Sequence, residues 1–371
     1  MVKRLIFRVD DLKDVCTNIL YAVDNSSTFD NENVEILCEN GELKLNVTNS
    51  EYFVTVNLPI AIEETFNATV NANLFLKLIS QVTTDTIEIS VVDRCLKIKG
   101  NGEYKIPVIY NGEDMLHLRR INVGTDGATT ATISGDILNT IAIYNSKELS
   151  KGPIVRPVQK LFYIDNEGAI TFTTGACVNN FHIDSTFAVL LSSKVVKLFK
   201  LFSNDASVKF TVGSLSDFGD ASLMGVVFET ERIKISAILP DSTMISSVPV
   251  AQIRKMAEEL QKYSVVVNRK DFSDTLGRLM LFSSSDVSAF GKFKCCGDKF
   301  IISLTNSTAS EEMFYESPIE CEYDMLLNIK DLKATIDSYS DMYLNLWFGN
   351  GRSITIGRGN IRNIIPECKE L

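Results

Sequence analysis

Apolar residues near the N-terminus recur every three or four positions, which is typical of one face of an amphipathic helix. These residues are Leu12, Val15, Cys16, Ile19, Leu20 and Val23. Alternation of apolar and polar residues follows over 33–60 and predicts strands. The dipeptide Asn40-Gly41 interrupts this alternation and predicts a two-residue hairpin turn. The chain is therefore expected to begin with a helix followed by antiparallel strands.

A pair of helix-capable segments, each followed by strands, occurs three times along the chain. The first segment of each pair begins near Asp11, Gly135 and Lys270, and the second begins near Ala72, Ser193 and Ile329. Because the two segments are always about 60 residues apart, the spacing indicates internal repeats. The pattern predicts an α+β fold of three tandem, similar domains with six principal helices.

Two connectors divide the repeats. One is polar and contains glycine, at 112–130, and the other, at 248–264, begins at a proline and predicts an additional short helix. We therefore expect domains at 1–125, 126–249 and 250–371.

Composition narrows the class of protein. The 371 residues carry 37 basic and 47 acidic side chains, a net charge of −10, which argues against a surface that is basic everywhere. The eight cysteines form no C-x-x-C pair, so free thiols in a reducing cytoplasm are expected. The N-terminal sequence does not fit a signal peptide, and no apolar run is long enough for a membrane span. A soluble, cytoplasmic protein is expected.

Basic residues lie on the polar sides of several predicted helices. Lys194, Lys197 and Lys200 share one side of the helix at 194–202, opposite an apolar stripe. One interpretation is that these lysines form an ordinary solvated face. The other is that the helices line one surface, so that their basic sides together attract phosphate groups. The first helix is an exception, because Asp10, Asp11 and Asp14 make its polar side acidic.

Residues for catalysis or metal binding are scarce. The two histidines, His117 and His182, do not have metal-ligand spacing, and a Cys177–His182 nucleophilic pair lacks an orienting partner. The segment at 349–352 has the glycines of a phosphate-binding loop but not its lysine, so a hairpin turn is the better interpretation. We predict a protein without catalytic residues, metal or cofactor.

Three segments resemble the bacterial-type sliding clamp, the β subunit of the replicative DNA polymerase, in a divergent and phage-like form. VVVNRKDFSDTLGRLMLFSSS (265–285) is similar to the start of that family's third domain. The segment 151–175, ending in ITFTTG, resembles the loop and strand ahead of the family's T-D-G-H-R-L motif. IRNIIPECKEL resembles the family's C-terminal ending. Together with the threefold order of elements, the resemblance covers nearly the whole chain.

The resemblance implies a non-catalytic processivity factor. Two subunits would close head to tail into a ring, with helices inside and antiparallel sheets outside, around double-stranded DNA. The first domain's edge would meet the third domain's edge of the partner. DNA polymerase and a clamp loader would be further partners. The residues expected to face DNA are Lys77, Lys147, Lys151, Arg156, Lys194, Lys197, Lys200, Arg278, Lys330 and Lys333.

The resemblance also implies a pocket for partner peptides between the second and third domains. Its walls would be Thr174, Gly175, Ala176, Cys177, Val178, Met244, Ile245, Ser246, Ser247, Ile364, Ile365 and Pro366. The histidine and arginine of the family's loop are missing here, and the tail beyond Pro366 is more polar than is usual. A changed peptide preference is therefore expected. The alternative for Ile364 and Ile365 is plain core packing of a last strand.

Two functions fit these observations. The first is a sliding clamp that encircles duplex DNA and tethers a polymerase. The alternative is a clamp-fold scaffold or decoy that binds replication factors without encircling DNA, which the acidic first helix and the altered pocket favour. Ring closure separates the two.

Overall fold

A computed structural model describes residues 4–23, 32–60, 65–149, 151, 155–215, 223–259, 261–283, 289–306, 308–316, 319–350 and 352–368. Strands, helices, strands and helices alternate along these ranges in the order that the sequence predicts, three times over. Each copy contains two principal helices and two groups of strands.

The first copy occupies the N-terminal third of the chain. Its elements are β1 (Arg4–Arg8), α1 (Val9–Leu20), β2 (Asn33–Glu39), β3 (Glu42–Thr48), β4 (Tyr52–Pro59), β5 (Phe66–Asn71), α2 (Ala72–Gln81), β6 (Thr86–Val92), β7 (Cys95–Lys99) and β8 (Glu103–Pro107). A short hairpin follows, made of β9 (Tyr110–Asn111) and β10 (Asp114–Met115).

The second copy begins after the first connector. Its elements are β11 (Thr129–Ser134), α3 (Gly135–Thr140), a π-helical turn (Ile141–Asn145), α4 (Ser146–Glu148), a 3-10 helix (Pro157–Lys160), β12 (Leu161–Asp165), β13 (Gly168–Phe172), β14 (Ala176–Asn180), β15 (Ala188–Ser192), α5 (Ser193–Lys197), a 3-10 helix (Leu198–Leu201), β16 (Ser207–Ser214), β17 (Met224–Glu229) and β18 (Ile233–Ile238).

The second connector and the third copy complete the chain. The connector holds a 3-10 helix (Ser242–Ser247) and the additional helix that the sequence predicts, α6 (Val250–Glu258). The third copy contains β19 (Tyr263–Asn268), α7 (Arg269–Met280), β20 (Phe290–Cys296), β21 (Lys299–Leu304), β22 (Ser310–Phe314), β23 (Glu322–Asn328), α8 (Ile329–Ile336), β24 (Tyr343–Phe348), β25 (Ser353–Arg358) and β26 (Ile361–Pro366).

Within each copy the two halves exchange a strand. The strand that leads into one helix pairs with the three-stranded meander that follows the other helix, so that β1 pairs with β6 and β5 pairs with β2. The same exchange joins β11 to β16, β15 to β12, β19 to β24 and β23 to β20. Each copy therefore consists of two interlocked four-stranded groups, and neither group is complete without both halves.

The outer meander strands join the groups into larger sheets. β4 pairs with β18, which gives an eight-stranded sheet in the order β11-β16-β17-β18-β4-β3-β2-β5. β14 pairs with β26, which gives a second one in the order β15-β12-β13-β14-β26-β25-β24-β19. Two four-stranded sheets remain, β1-β6-β7-β8 and β22-β21-β20-β23.

The chain divides into two compact units, which cut the second copy in two. One unit comprises Met1–Asn139 and Lys197–Pro240, and the other comprises Thr140–Val196 and Asp241–Leu371. Each unit holds one eight-stranded and one four-stranded sheet. The three-domain boundaries expected from the sequence stay a prediction, although the threefold order of elements is confirmed.

All six principal helices begin directly after a strand, without an intervening loop. At α2, α7 and α8 the last strand residue is an asparagine, and its side chain accepts a hydrogen bond from a backbone N–H of the first helical turn. Serine takes this position at α3 and α5, where Ser134 and Ser192 accept from Ile137 N and Val195 N. These caps satisfy N–H groups that have no partner within the helix.

Large aromatic side chains fill the core of the third copy. Phe272 of α7 lies among Phe293, Phe300 and Phe348 from both sheets of the second unit, all fully buried. The Phe300 and Phe348 ring centroids are 5.5 Å apart. The periodic apolar positions of the sequence become this core because both faces of each helix pair are enclosed by strands, and burial of each ring contributes about 1.5–3 kcal/mol.

Turn chemistry agrees with the sequence in part. Asn40 and Gly41 both have positive φ, 52° and 78°, so the predicted two-residue turn between β2 and β3 is confirmed. A second turn of this kind, Asp93-Arg94, was not predicted, because neither residue is a usual choice for positive φ. The turn at Asn101 is longer, since Lys99 pairs with Glu103 across three residues.

The helix predicted at 135 also differs, because it is interrupted by the π-helical turn. Asn145, fully buried at its end, donates hydrogen bonds from Nδ2 to the carbonyl oxygens of Ala169 and Cys177 at 3.4 and 3.2 Å. A helix satisfies its own backbone, but this side chain must reach two strands, and the wider turn accommodates it.

The capped junction can be tested at α7. Asn268 Oδ1 accepts from the backbone N–H groups of Lys270 and Asp271 at 2.9 and 3.2 Å. We expect Asn268→Ala to lower the free energy of unfolding by about 1 kcal/mol and the melting temperature by about 2–4 °C. Asn268→Ser keeps an oxygen acceptor and should lose less than half of this. Thermal unfolding measures both variants, and equal losses would contradict a capping role.

Candidate functional site

The predicted pocket residues lie on and around the pair of strands β14 and β26. These strands are antiparallel, with Ala176 opposite Ile364 and Val178 opposite Arg362. Because side chains alternate across a sheet, neighbouring residues of one strand point to opposite faces. The twelve predicted residues are accordingly divided between two faces instead of lining one pocket.

One face carries an apolar cluster. Ala176, Val178 and Ile364 are 5%, 1% and 2% exposed and form its floor. Met244 and Ile245, from the 3-10 helix Ser242–Ser247, are half-buried against the same cluster. Five predicted pocket residues thus meet on this face. Ser246 and Ser247 are exposed, and their hydroxyls donate to the carbonyl oxygens of Thr243 and Met244.

Helix α6 lies on this apolar cluster. Ile253 is buried in it, and Val250, Met256 and Ala257 pack against it. Arg254 secures the helix, because its Nη2 lies 2.5 Å from Asp165 Oδ1 and its Nη1 lies 2.7 Å from Glu167 Oε2. The face predicted to receive a peptide is therefore covered by a segment of the chain itself.

A hydrogen-bonded group supports Arg254. Tyr163 donates its hydroxyl to Asp165 Oδ2 at 3.0 Å, and Asp165 Oδ1 also accepts from the backbone N–H groups of Glu167 and Gly168. Burial and the neighbouring Asp165 carboxylate raise the pKa of Tyr163 to about 12. The phenol consequently stays protonated and continues to donate at neutral pH.

The other side holds a cavity of about 250 Å³. Its lining is Lys151, Thr174, Gly175, Phe290, Asn328, Asp331, Ile364, Ile365, Pro366 and Cys368. Five predicted pocket residues border this cavity. Burial raises the pKa of Asp331 above its usual value, although the nearby positive charges of Lys151 and Lys330 oppose the rise. The cavity therefore has a polar end at α8 and an apolar end at β26.

Cys177 corrects one prediction. It was expected to form a wall of the pocket, but its side chain is fully buried and points away from the apolar cluster, because Ala176 and Val178 on either side of it point toward that cluster. Burial, together with the Glu148 carboxylate, raises the pKa of its thiol well above the usual value. The thiol is therefore protonated at neutral pH, which also disfavours it as a nucleophile.

The residues predicted to face DNA differ in exposure. Lys77 on α2, Lys147 on α4, Lys197 at the end of α5, Lys200 in the following 3-10 helix, Lys330 on α8 and Arg156 are exposed, and Lys194 is half-buried. Lys197 and Lys200 stay on one side because residues three apart eclipse each other in a 3-10 helix.

Lys151 is wrongly predicted, because it is a core residue. It is 2% exposed, and its Nζ lies 2.7 Å from Glu148 Oε2. Glu148 is fully buried and also accepts a hydrogen bond from Thr173 Oγ1 at 2.8 Å. Burying two charges is possible here because they neutralise each other and have a further hydrogen-bond partner. No phosphate group could reach this ammonium.

Arg278 and Lys333 are engaged with carboxylates of the same chain. Arg278 contacts both carboxylate oxygens of Glu311, Nε at 2.9 Å from Oε1 and Nη2 at 2.5 Å from Oε2. Lys333 Nζ donates to Asp337 Oδ2 and to Ser273 Oγ, both at 2.7 Å, which links α8 to α7. Their role toward DNA stays a prediction, but much of their charge is already neutralised.

Sequence reasoning missed two features of the surface. It did not connect the short helix at 250–258 with the pocket, although the apolar spacing of Val250, Ile253 and Met256 carried that signal. It also missed exposed apolar side chains in the third copy, Leu281 (81% exposed), Phe282 (57%) and Phe314 (60%). Nothing in the pattern of Leu281 and Phe282 distinguishes them from the core positions of α7.

Two searches of the described residues returned no candidates. No group of three or more His, Cys, Asp and Glu there has a geometry that could hold a metal ion. In the same part of the chain, every helix is too short or too polar to cross a membrane.

The contact between β14 and β26 can be tested at Gly175. A Cβ added there would lie 2.2 Å from the carbonyl oxygen of Ile364. We expect Gly175→Ala to push the strands apart and lower the free energy of unfolding by about 1–3 kcal/mol. Thr174→Ala, at the exposed neighbouring position, should change it by less than about 0.5 kcal/mol. Urea unfolding measures both, and an unchanged Gly175→Ala protein would contradict the close approach.

Comparison with known proteins places the fold. No family model and no curated protein matches the sequence. Among solved structures, the sliding clamp of Bacillus subtilis matches with 15% identity, a TM-score of 0.75 and complete coverage of both chains. The DNA polymerase III β chain of Streptococcus pneumoniae matches with 12% identity, a TM-score of 0.77 and complete coverage of both chains. The Helicobacter pylori β clamp bound to a DNA ligase peptide matches with 15% identity and a TM-score of 0.71, over 99% of this chain and 100% of that one. This chain therefore has the fold of the bacterial DNA polymerase sliding clamp.

Proposed function

We propose that this protein is a DNA sliding clamp, a ring that encircles duplex DNA and tethers a polymerase without itself catalysing a reaction. The observation that carries the proposal is the pairing of the outer meander strands. Of six such strands, β4 pairs with β18 and β14 pairs with β26. In the described part of the chain, β8 and β22 each pair on one side only. These two edges complete the series if β8 of one subunit pairs with β22 of another.

Charge and apolar surface at the two edges support this closure. Lys105 is exposed on β8, and Lys97 and Lys99 lie on the adjacent strand β7. Glu311 and Glu312 lie on β22. Such a head-to-tail contact between different surfaces closes a ring when the rotation returns to the start. Three domains per chain then require two subunits for the sixfold arrangement of the clamp.

Exposed apolar side chains lie near the β22 edge. α7 packs against β22, and Leu281 and Phe282 follow directly after α7. Phe314 lies on β22 itself. Large exposed apolar residues next to an unpaired strand are typical of an interface, because exposure of both in a monomer invites association. Their place beside β22 supports a partner subunit as the occupant.

The exposed lysines are the proposed contacts to DNA. Lys77, Lys147, Lys197, Lys200 and Lys330 belong to helical segments. In a protein of net charge −10, their attraction to phosphates should be local and weak, because charges more than about 8–10 Å away are screened at physiological salt. Weak contact without sequence preference suits a ring that slides.

Partner proteins and location follow from the same proposal. A replicative polymerase would be tethered by a peptide motif, as the named complex of the Helicobacter pylori clamp with a DNA ligase peptide suggests for clamps generally. A separate ATP-driven clamp loader would open the ring. The protein would then act in the cytoplasm of a bacterium, or of a host cell infected by the phage that encodes it.

Retention on circular DNA tests the proposal. Loaded with a matching clamp loader in moderate salt, the protein should stay on nicked circles and run off the same DNA once it is linearised, because only a topological link depends on ends. Lys197→Glu with Lys200→Glu should shorten retention on circles, since the salt dependence falls by about 0.9 per lost phosphate contact.

The control carries the same change of charge elsewhere. Lys160→Glu with Lys234→Glu alters two exposed lysines that are not among the proposed DNA contacts. It should leave retention near that of the unmodified protein. Equal loss from circles and linear DNA, with an established clamp retained in parallel, would overturn the proposal in favour of a scaffold that does not encircle DNA.

The subunit contact is tested at the third copy. Leu281→Asp with Phe282→Asp introduces two charges into the proposed interface and should convert the dimer into a monomer, a shift in the dimer dissociation constant of at least about 100-fold. Sedimentation equilibrium measures this. Val155→Asp, at a position 80% exposed, is the control and should remain dimeric. An unmodified protein that is monomeric at every concentration would contradict the closure.

A further inference from the structure

The covered face of β14 and β26 has a consequence for partner binding. Helix α6 occupies the apolar cluster formed by Ala176, Val178 and Ile364. The residues expected to receive a partner peptide are the same ones that contact α6. A partner and α6 therefore compete for one surface.

The shape of α6 is that of a short ligand laid on a groove. Val250, Ile253, Met256 and Ala257 face the cluster at positions i, i+3, i+6 and i+7. Ala251, Gln252, Lys255 and Glu258 on the opposite side are exposed. A helix in groove that reads anchors at this spacing is a recurring mode of peptide recognition.

Intrinsic helix stability does not hold α6 in place. Its first residue follows Pro249, which supplies no side-chain cap, and no acidic residue lies in the first turn. Glu258 and Glu259 lie at its C-terminal end, where negative charge opposes the helix dipole. A helix of nine residues is also too short to be stable alone. The contacts with the cluster and with Asp165 and Glu167 must therefore supply its stability.

The Arg254 contacts fix where α6 lies. Asp165 ends β12, and Glu167 lies in the turn before β13, so both anions belong to the rigid sheet. The side chain of Arg254 is only 17% exposed, and that of Asp165 is 9% exposed. A charge pair shielded in this way is stronger than an exposed one and specifies a single position on the groove.

We propose that α6 is a resident, displaceable occupant of the β14–β26 groove, and that a partner binds there by replacing it. This inference deepens the proposed function and depends on it for the identity of the partner. The replacing peptide has apolar side chains three or four residues apart and a basic residue directly after the central one, which takes the place of Arg254 between Asp165 and Glu167. Partner access is then limited by a tethered competitor whose effective concentration is in the millimolar range.

A peptide of residues 249–259 of this chain is the probe, labelled with fluorescein and measured by polarisation on the full-length protein. Ile253→Asp with Arg254→Glu should release α6 and open the groove. The probe should bind this variant at least about tenfold more tightly than the unmodified protein. A probe carrying the same two substitutions should bind neither.

The matched control is Gln252→Asp with Lys255→Glu. It changes the charge of α6 by the same amount on its exposed side and should bind the probe as weakly as the unmodified protein. Equal binding of the probe by the released variant and this control would overturn the proposal. So would a released variant that has native circular dichroism and does not bind the probe.

Hydrogen exchange of the unmodified protein gives a test that needs no variant. The α6 amides should exchange at least about tenfold faster than those of β14 and β26, because a displaceable helix opens without unfolding of the sheet. Exchange of α6 as slow as that of the two strands would overturn the proposal. Retention on circular DNA is measured separately, so failure of the clamp function with successful probe binding leaves the α6 result standing, and the reverse outcome overturns only α6.

Discussion

The junction at which a strand passes directly into a helix is the constraint on which the rest of this structure depends. The residue there completes the strand's pairing and supplies the cap of the helix, as Asn71, Asn268 and Asn328 do. Without a loop, the helix cannot tilt freely away from its strand. The strand in turn pairs with the meander that follows the other helix, so each cap fixes the relation between two halves of a copy. Repeated six times, this one local arrangement determines the sheets.

Function is located where the repetition stops. β4, β14, β18 and β26 find partners within the chain, while β8 and β22 are the ends of the series. The two ends carry complementary charge, with lysines near β8 and Glu311 and Glu312 on β22. The groove on β14 and β26, at a completed joint, is by contrast covered. Assembly and partner binding thus depend on two kinds of surface, an unpaired edge and an occupied groove.

Much of the fold could be predicted from the sequence, because apolar spacing and Asn-Gly turns are local signals. The repeat order, the extra helix and the Asn40-Gly41 turn are confirmed. The site was harder. Lys151 looks like a surface lysine until Glu148, three residues earlier, is known to be buried with it. Cys177 and Val178 are adjacent in sequence yet point to opposite faces. That α6 lies on the groove depends on Asp165 and Glu167, more than eighty residues away, and no local pattern encodes such a contact.

The pairing of β14 with β26 sets an order on synthesis. β14 ends at Asn180, whereas β26 begins at Ile361, near the end of the chain. At a translation rate of about 5–20 residues per second, roughly 10–40 s pass between the emergence of the two strands from the ribosome. During this interval the second copy has an open strand edge, which is a hazard for aggregation. α6, made well before β26, packs on β14. It is therefore in a position to cover the apolar face of the unfinished sheet until the last strand arrives.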